Sequence, residues 1–165
     1  MIRIVRSLIA LAALVAVPLA AQDSGIAVGA KAPNAKLTTL DGKPADLAPF
    51  VGKRPTLMLF WAAWCSNCKK LEPQLTAAAK KYGAQVAFVG VAVAINQSAA
   101  LARAYAAKHQ LPLTSFYDGD GAAAEAYDAP ATSYIVVIDK TGKVVYTGVG
   151  ADQDIEAAVK KGLGS

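Results

Sequence analysis

The chain has 165 residues, of which 55% are hydrophobic and 18% charged, a balance that excludes a disordered polymer and suits one domain with its own core. The formal charge is +5, yet no Lys/Arg cluster interleaves with aromatic residues, so nucleic acid is not an expected partner. Two Cys and one His exclude a disulfide-stapled miniature scaffold and a multi-histidine metal site.

Arg3 and Arg6 precede the apolar run Leu8–Val17, Pro18 breaks it, and Leu19-Ala20-Ala21-Gln22 supplies small residues for cleavage. This is the layout of a secretory signal peptide over residues 1–21, cut after Ala21. The run is shorter than the roughly 20 residues that cross a bilayer. No Cys follows it and no paired arginines precede it, which argues against a lipid anchor and a twin-arginine route. The expectation is a periplasmic or otherwise exported protein with no stable membrane insertion after cleavage; the competing reading is an uncleaved N-terminal anchor. Removal of the leader leaves 15 cations against 12 anions, a charge too small to argue for a polyanionic partner.

Residues 22–165 read as one domain without internal repeats. Lys36–Leu40 is a predicted strand entering a tight turn at Asp41-Gly42-Lys43, and Pro44–Pro55 is turn-rich. Thr56–Trp61 is an unbroken apolar run of strand length, suited to burial on both faces. Ser66–Tyr82 has helical spacing, with Leu71, Leu75, Ala78 and Ala79 on one side and Gly83 at its end. Gln85–Val93 predicts a second apolar strand, and Asn96–His109 a helix whose stripe is Leu101, Ala102, Tyr105 and Ala106. A short strand within Leu111–Tyr117 and a short helix over Gly121–Tyr127 follow. Tyr134–Ile138 and Lys143–Tyr146 form a hairpin about Asp139-Lys140-Thr141-Gly142, and Asp152–Leu163 is a helix with acids early and lysines late. This order predicts an α/β sandwich, its long central strands parallel and its last two antiparallel.

The chemistry concentrates in Trp61-Ala62-Ala63-Trp64-Cys65-Ser66-Asn67-Cys68-Lys69-Lys70, where the first central strand hands over to the first helix. Two Cys three positions apart can close a disulfide within one turn. The first stands at the helix N-terminus, where unpaired N–H groups and the dipole favour a thiolate. It is the expected attacking thiol, the more exposed and more acidic of the pair, and the second is the resolving thiol. Thiols in such motifs titrate at about 3.5–7.5 rather than about 8.5. An inert bridge and half of a metal site are the competing readings. Zinc needs four ligands, haem attachment needs a His where Lys69 stands, and a bridge this short stabilises little. Redox chemistry is the expected use, with no cofactor and no metal. Trp64 is expected as a lid beside the thiolate and Trp61 as core.

The chain from Val28 to Leu75 resembles the TlpA-like, periplasmic thioredoxin-fold thiol–disulfide oxidoreductases. The matching pieces are Gly29-Ala30-Lys31-Ala32-Pro33, Leu40-Asp41-Gly42-Lys43 and Phe60 through Pro73, followed by Tyr105–Leu113, Tyr127 and Ile138–Lys143. The resemblance implies a thioredoxin-like fold, a central mixed sheet flanked by helices with an N-terminal β-hairpin extension. It implies Cys65 as nucleophile, Cys68 as resolving thiol and Pro73 as a kink in the active-site helix. Partners would be protein thiols and disulfides, with an upstream membrane electron donor, and the protein a monomer. Three departures stand out. Asn67 replaces the proline that usually precedes the second Cys. Leu71 replaces a frequent glutamate, with Glu72 one position on, about 100° around the helix, and Leu59 replaces the buried acid of plain thioredoxins. The cis-proline position falls on Ser133, so a trans Thr132–Ser133 bond is expected, Thr132 and Ser133 completing the substrate groove. There the Ser133 hydroxyl would donate to the Cys65 thiolate; an alternative alignment puts Pro130 in this loop.

His109 reads as a helix C-cap, and Asp118-Gly119-Asp120-Gly121 as a turn and helix cap rather than a calcium loop. Two other functions compete. A thiol peroxidase would need a Thr three residues before its Cys, where Ala62 stands. A redox or copper-handling module would need Met or His ligands, for which Met58 and His109 are the candidates.

Overall fold

The computed structural model describes residues 25–165, and the expected signal peptide, residues 1–21, lies outside the described residues. In chain order the elements are β1 (Lys36–Thr39), β2 (Pro44–Asp46), a 3-10 turn (Ala48–Phe50), β3 (Thr56–Trp61), α1 (Ser66–Tyr82), β4 (Ala87–Val93), α2 (Ala99–Lys108), β5 (Thr114–Asp118), α3 (Ala122–Ala126), β6 (Tyr134–Ile138), β7 (Val144–Gly148) and α4 (Ile155–Leu163). They build one mixed sheet in the order β2-β1-β5-β4-β3-β6-β7. β3, β4 and β5 are parallel, joined by the crossover helices that parallel neighbours require, whereas β6, β7, β1 and β2 join antiparallel. Every residue of β3 and β4 is buried, as their uninterrupted apolar runs predict.

Side chains of β3 alternate between the two faces. Trp61 packs on Tyr105 of α2 at 5.8 Å between ring centroids. Phe60 points the other way, onto Tyr127 at 5.8 Å and Tyr134 at 5.7 Å. Hydrogen bonds from Tyr105 to Glu72 and from Tyr82 to Glu156 tie α2 and α4 to α1, so these three helices share the Trp61 face. On the Phe60 face the Tyr127 hydroxyl, just past α3, donates to the Pro33 carbonyl at 2.8 Å. Leu71 and Leu75 are fully buried and seat one face of α1 on the core; truncating either to Ala would cost about 2–5 kcal/mol. Among the described residues no helix is long and apolar enough to cross a membrane.

Two glycines are explained by close approach. A Cβ on Gly90 in β4 would lie 2.8 Å from Trp61 Nε1, so glycine makes room for the indole. Gly83 closes α1 in right-handed geometry (φ −59°), and a Cβ there would stand 2.5 Å from the Ala79 carbonyl oxygen.

Differences from the sequence reading lie at the margins. The turn-rich segment after Lys43 contains β2, paired with β1 about the Gly42 turn (φ 81°) to complete the N-terminal hairpin. Of the stripe expected on α2, Ala102 is buried and Tyr105 and Ala106 pack half-buried against the core, whereas Leu101 is 49% exposed.

Glu156 on α4 accepts from Lys81 Nζ and Tyr82 Oη of α1, both at 2.9 Å, and pairs with Lys160 at 3.1 Å. Hydrogen bonds from Lys81, Tyr82 and Lys160 hold its carboxyl down to about 2. Folding lowers this pKa below the ordinary carboxylate value of about 4.3, so the ionised group stabilises the fold above that pH. The contribution is lost as pH falls through about 2. Glu156→Gln is therefore expected to lower the thermal midpoint by a few degrees at pH 7, with the gap to wild type closing in melts run from pH 5 down to pH 2.

Candidate active site

β3 ends held on both flanks, Phe60 opposite Tyr134 and Trp61 opposite Ala92. The chain then turns sharply, the Cys65 N–H donating to the Ala62 carbonyl at 3.0 Å. Cys65 is the N-cap of α1 in extended geometry (φ −77°, ψ 104°). Its Sγ accepts the backbone N–H of Cys68 at 3.0 Å, taking the place that a serine or aspartate oxygen usually fills. Cys65 and Cys68 are joined as a disulfide with Cα atoms 5.3 Å apart. The bonded Sγ of Cys65 marks where the thiolate would lie after reduction, over the unpaired N–H groups of the first helical turn. Both cysteines are 6% exposed in the disulfide, so in this oxidised form residue exposure does not separate the expected attacking thiol from the resolving one. What separates them is the helix terminus. Pro73, two turns into α1, lacks the N–H that would bond to Lys69.

Gln97 stitches the turn between β3 and α1 to the turn between β4 and α2. Buried to 8% exposure, its Oε1 accepts the Ala63 N–H at 3.0 Å and its Nε2 donates to the Val93 carbonyl at 2.7 Å. The Tyr117 hydroxyl donates to the Gln97 carbonyl at 2.9 Å, anchoring the glutamine to β5. Trp64, next to the nucleophile position, is half exposed, and its indole N–H donates to the Ile95 carbonyl at 2.8 Å.

Trp64 and Ile95 form one side of an apolar groove of about 680 Å³, with Ala129, Pro130, Ala131 and Thr132 also lining it. Trp64 and Thr132 are thus brought to a common surface, together with Pro130. Ser133 is placed differently. It is 1% exposed, its N–H donates to the Phe60 carbonyl at 2.9 Å, and its backbone is left-handed (φ 62°). No peptide bond among the described residues is cis, in agreement with a trans Thr132–Ser133 bond. The Ser133 hydroxyl does not meet Cys65 as expected. It donates to the Thr132 carbonyl and accepts from the Gly150 N–H at 3.2 Å, because the left-handed turn swings the side chain toward the segment after β7.

Glu72 faces α2, where its Oε1 accepts the Tyr105 hydroxyl at 2.7 Å and its Oε2 meets His109 Nδ1 at 3.0 Å. Tyr105 and His109 stack at 3.9 Å. Burial, and then the Glu72 hydrogen bond, push the Tyr105 hydroxyl up to about 12. His109 is the C-cap of α2, as expected, with its N–H on the Tyr105 carbonyl at 2.9 Å; its bond to Glu72 is additional. Leu59 is packed in the core. The Asp118 and Asp120 carboxylates accept N–H groups of Ala122, Ala123 and Ala124, the turn-and-cap use expected of that segment.

The Redoxin family matches residues 27–163. The thiol-disulfide oxidoreductase ResA of Geobacillus kaustophilus is 28% identical over 140 residues, spanning 82% of this chain and 78% of that protein. Among solved structures, a secreted Mycobacterium tuberculosis disulfide oxidoreductase homologous to E. coli DsbE matches with TM-score 0.65 at 27% identity, covering 78% of this chain and 94% of the other. A thioredoxin-family thiol:disulfide interchange protein of Chlorobium tepidum matches with TM-score 0.68 at 25% identity, covering 83% and 98%. The mixed sheet and its flanking helices are the thioredoxin-like fold that the sequence resemblance implies.

Gln97 carries no hydropathy signal, since a glutamine in the first turn of the predicted helix Asn96–His109 reads as surface; the observed helix begins at Ala99. Gln97→Ala is expected to leave the Ala63 N–H without its partner and to cost about 1–3 kcal/mol, read as a lower urea midpoint at unchanged m-value.

Proposed function

The chain belongs to the Redoxin family and is a thiol–disulfide oxidoreductase of the thioredoxin superfamily, and from that premise we propose that it reduces protein disulfides outside the cytoplasm through Cys65 and Cys68. The observation that carries this reading is the Cys65 sulfur capping α1 and accepting the Cys68 N–H at 3.0 Å. A thiolate formed there keeps that bond and gains the favourable end of the helix dipole.

In the reduced protein the Cys65 thiolate attacks one sulfur of a partner disulfide. That S–S bond breaks, a mixed disulfide forms, and the displaced partner sulfur leaves as a thiolate that takes up a proton. Cys68, surrendering its proton, then attacks Cys65 Sγ. The second partner sulfur leaves as a thiol and the Cys65–Cys68 disulfide forms. Two electrons have passed to the partner, and the side chains supply the whole reaction. An upstream membrane electron donor would restore the dithiol. The apolar groove between Trp64 and Thr132, reached from Cys65 through its chain neighbour Trp64, would hold an extended partner segment, with the protein acting as a monomer. Ser133, buried behind Thr132, supports that wall from within. Export is supported by the leader-like residues 1–21.

Wild-type protein is expected to precipitate insulin in the presence of dithiothreitol, and Cys65→Ser to be inactive. Cys68→Ser should accumulate a mixed disulfide that survives non-reducing electrophoresis and disappears with reductant. Trapping by Cys65→Ser instead, or peroxide consumption by a protein inert to insulin, would contradict the reading.

A further inference from the structure

The wall of the groove across from Trp64 ends at Thr132, and the next residue, Ser133, is a non-glycine residue in the left-handed region (φ 62°). Such a conformation persists only where its surroundings over-determine it. Hydrogen bonds hold Ser133 in this turn through each of its polar groups. The Ser133 N–H is taken by the Phe60 carbonyl of β3. Its two oxygens are both held by the segment that joins β7 to α4: the carbonyl accepts Gln153 Nε2 at 3.0 Å, and the hydroxyl accepts the Gly150 N–H at 3.2 Å.

Gln153 is the centre of this clamp. It is 7% exposed, and its amide also donates to the Gly150 carbonyl at 2.7 Å and accepts the Tyr146 hydroxyl at 3.2 Å. One side chain therefore orders its own loop and the groove loop together. Gly148 gives it space: a Cβ there would overlap the Tyr146 hydroxyl and stand 2.5 Å from Gln153 Oε1. Gln153 is not among the residues that line the groove.

We propose that Gln153 is a positioning residue for partner binding: by holding Ser133 in its left-handed turn, it keeps the Pro130–Thr132 wall set opposite Trp64 and so determines affinity for protein disulfides. This rests on the reading of the groove as the partner site. The chemistry at sulfur lies with the helix cap and is independent of Gln153, which separates binding from reaction.

The test compares wild type with Gln153→Met, which preserves length and loses the amide bonds. Gln153→Glu keeps the acceptor for Tyr146 but sets a carboxylate against the Ser133 and Gly150 carbonyls. Each is assayed with insulin and with a small aromatic disulfide that does not need the groove. Both variants are expected to raise KM for insulin about tenfold, the scale of one or two buried hydrogen bonds. The insulin kcat, the rate with the small disulfide and the pH profile of Cys65 alkylation should stay within about twofold of wild type. If one variant fails to fold, the other still gives the KM-against-kcat comparison. A lowered thermal midpoint with unchanged insulin KM, or equal losses on both substrates, would overturn the proposal. Wild type inert to insulin would instead overturn the protein-disulfide reading on which it rests.

Discussion

A sulfur atom stands where an oxygen normally closes the first turn of a helix, and the position of that atom governs everything else at the site. The Cys65 Sγ meets the Cys68 N–H at 3.0 Å only because the chain leaves β3 and starts α1 with four residues between Trp61 and Ser66. A looser connection would let the sulfur drift from the unpaired N–H groups, and the preference for thiolate at that end would fade within a turn. The buried sheet supplies the rigidity. β3 is paired along its length with β4 and β6, and Gly90 admits the Trp61 indole where any side chain would displace it.

Two buried glutamines extend this order to the loops around the disulfide. Gln97 holds the turn that delivers the sulfur, through the Ala63 N–H. Gln153 holds the turn behind the opposite wall, through the Ser133 carbonyl. In each case an amide supplies a hydrogen bond to backbone beside a strand end, Ala63 just past β3 and Ser133 just before β6. Beside these two held turns the apolar side chains of Trp64 and Ile95 stay exposed.

The parts of the molecule written in hydrophobic periodicity were legible from sequence, and those made by single polar contacts were not. β3, α1 and β6 form over the residues their apolar runs predict, and the Cys pair falls at the strand–helix junction. Strand β2 was hidden because Pro44 and the residues after it carry turn chemistry, and its pairing to β1 comes from the hairpin. Trp64 and Thr132 line one groove. The position of Ser133 was legible but its hydroxyl was not, because the sign of one φ angle decides whether that group faces the thiol or Gly150. Glu72 stands one position past the family's usual glutamate, about 100° around the helix; its bonds to Tyr105 and His109 depend on how α2 crosses α1, which no local pattern encodes.

The claim that the helix cap, and not exposure, distinguishes the two sulfurs is tested most directly by the pH dependence of thiol alkylation in the reduced protein. Digestion and mass spectrometry would assign each modified cysteine. Both residues are equally buried in the disulfide, so exposure alone predicts that they react alike. The cap predicts that Cys65 reacts first and titrates well below the ordinary thiol value of about 8.5, with Cys68 following only at higher pH. Equal rates, or Cys68 reacting first, would contradict the account.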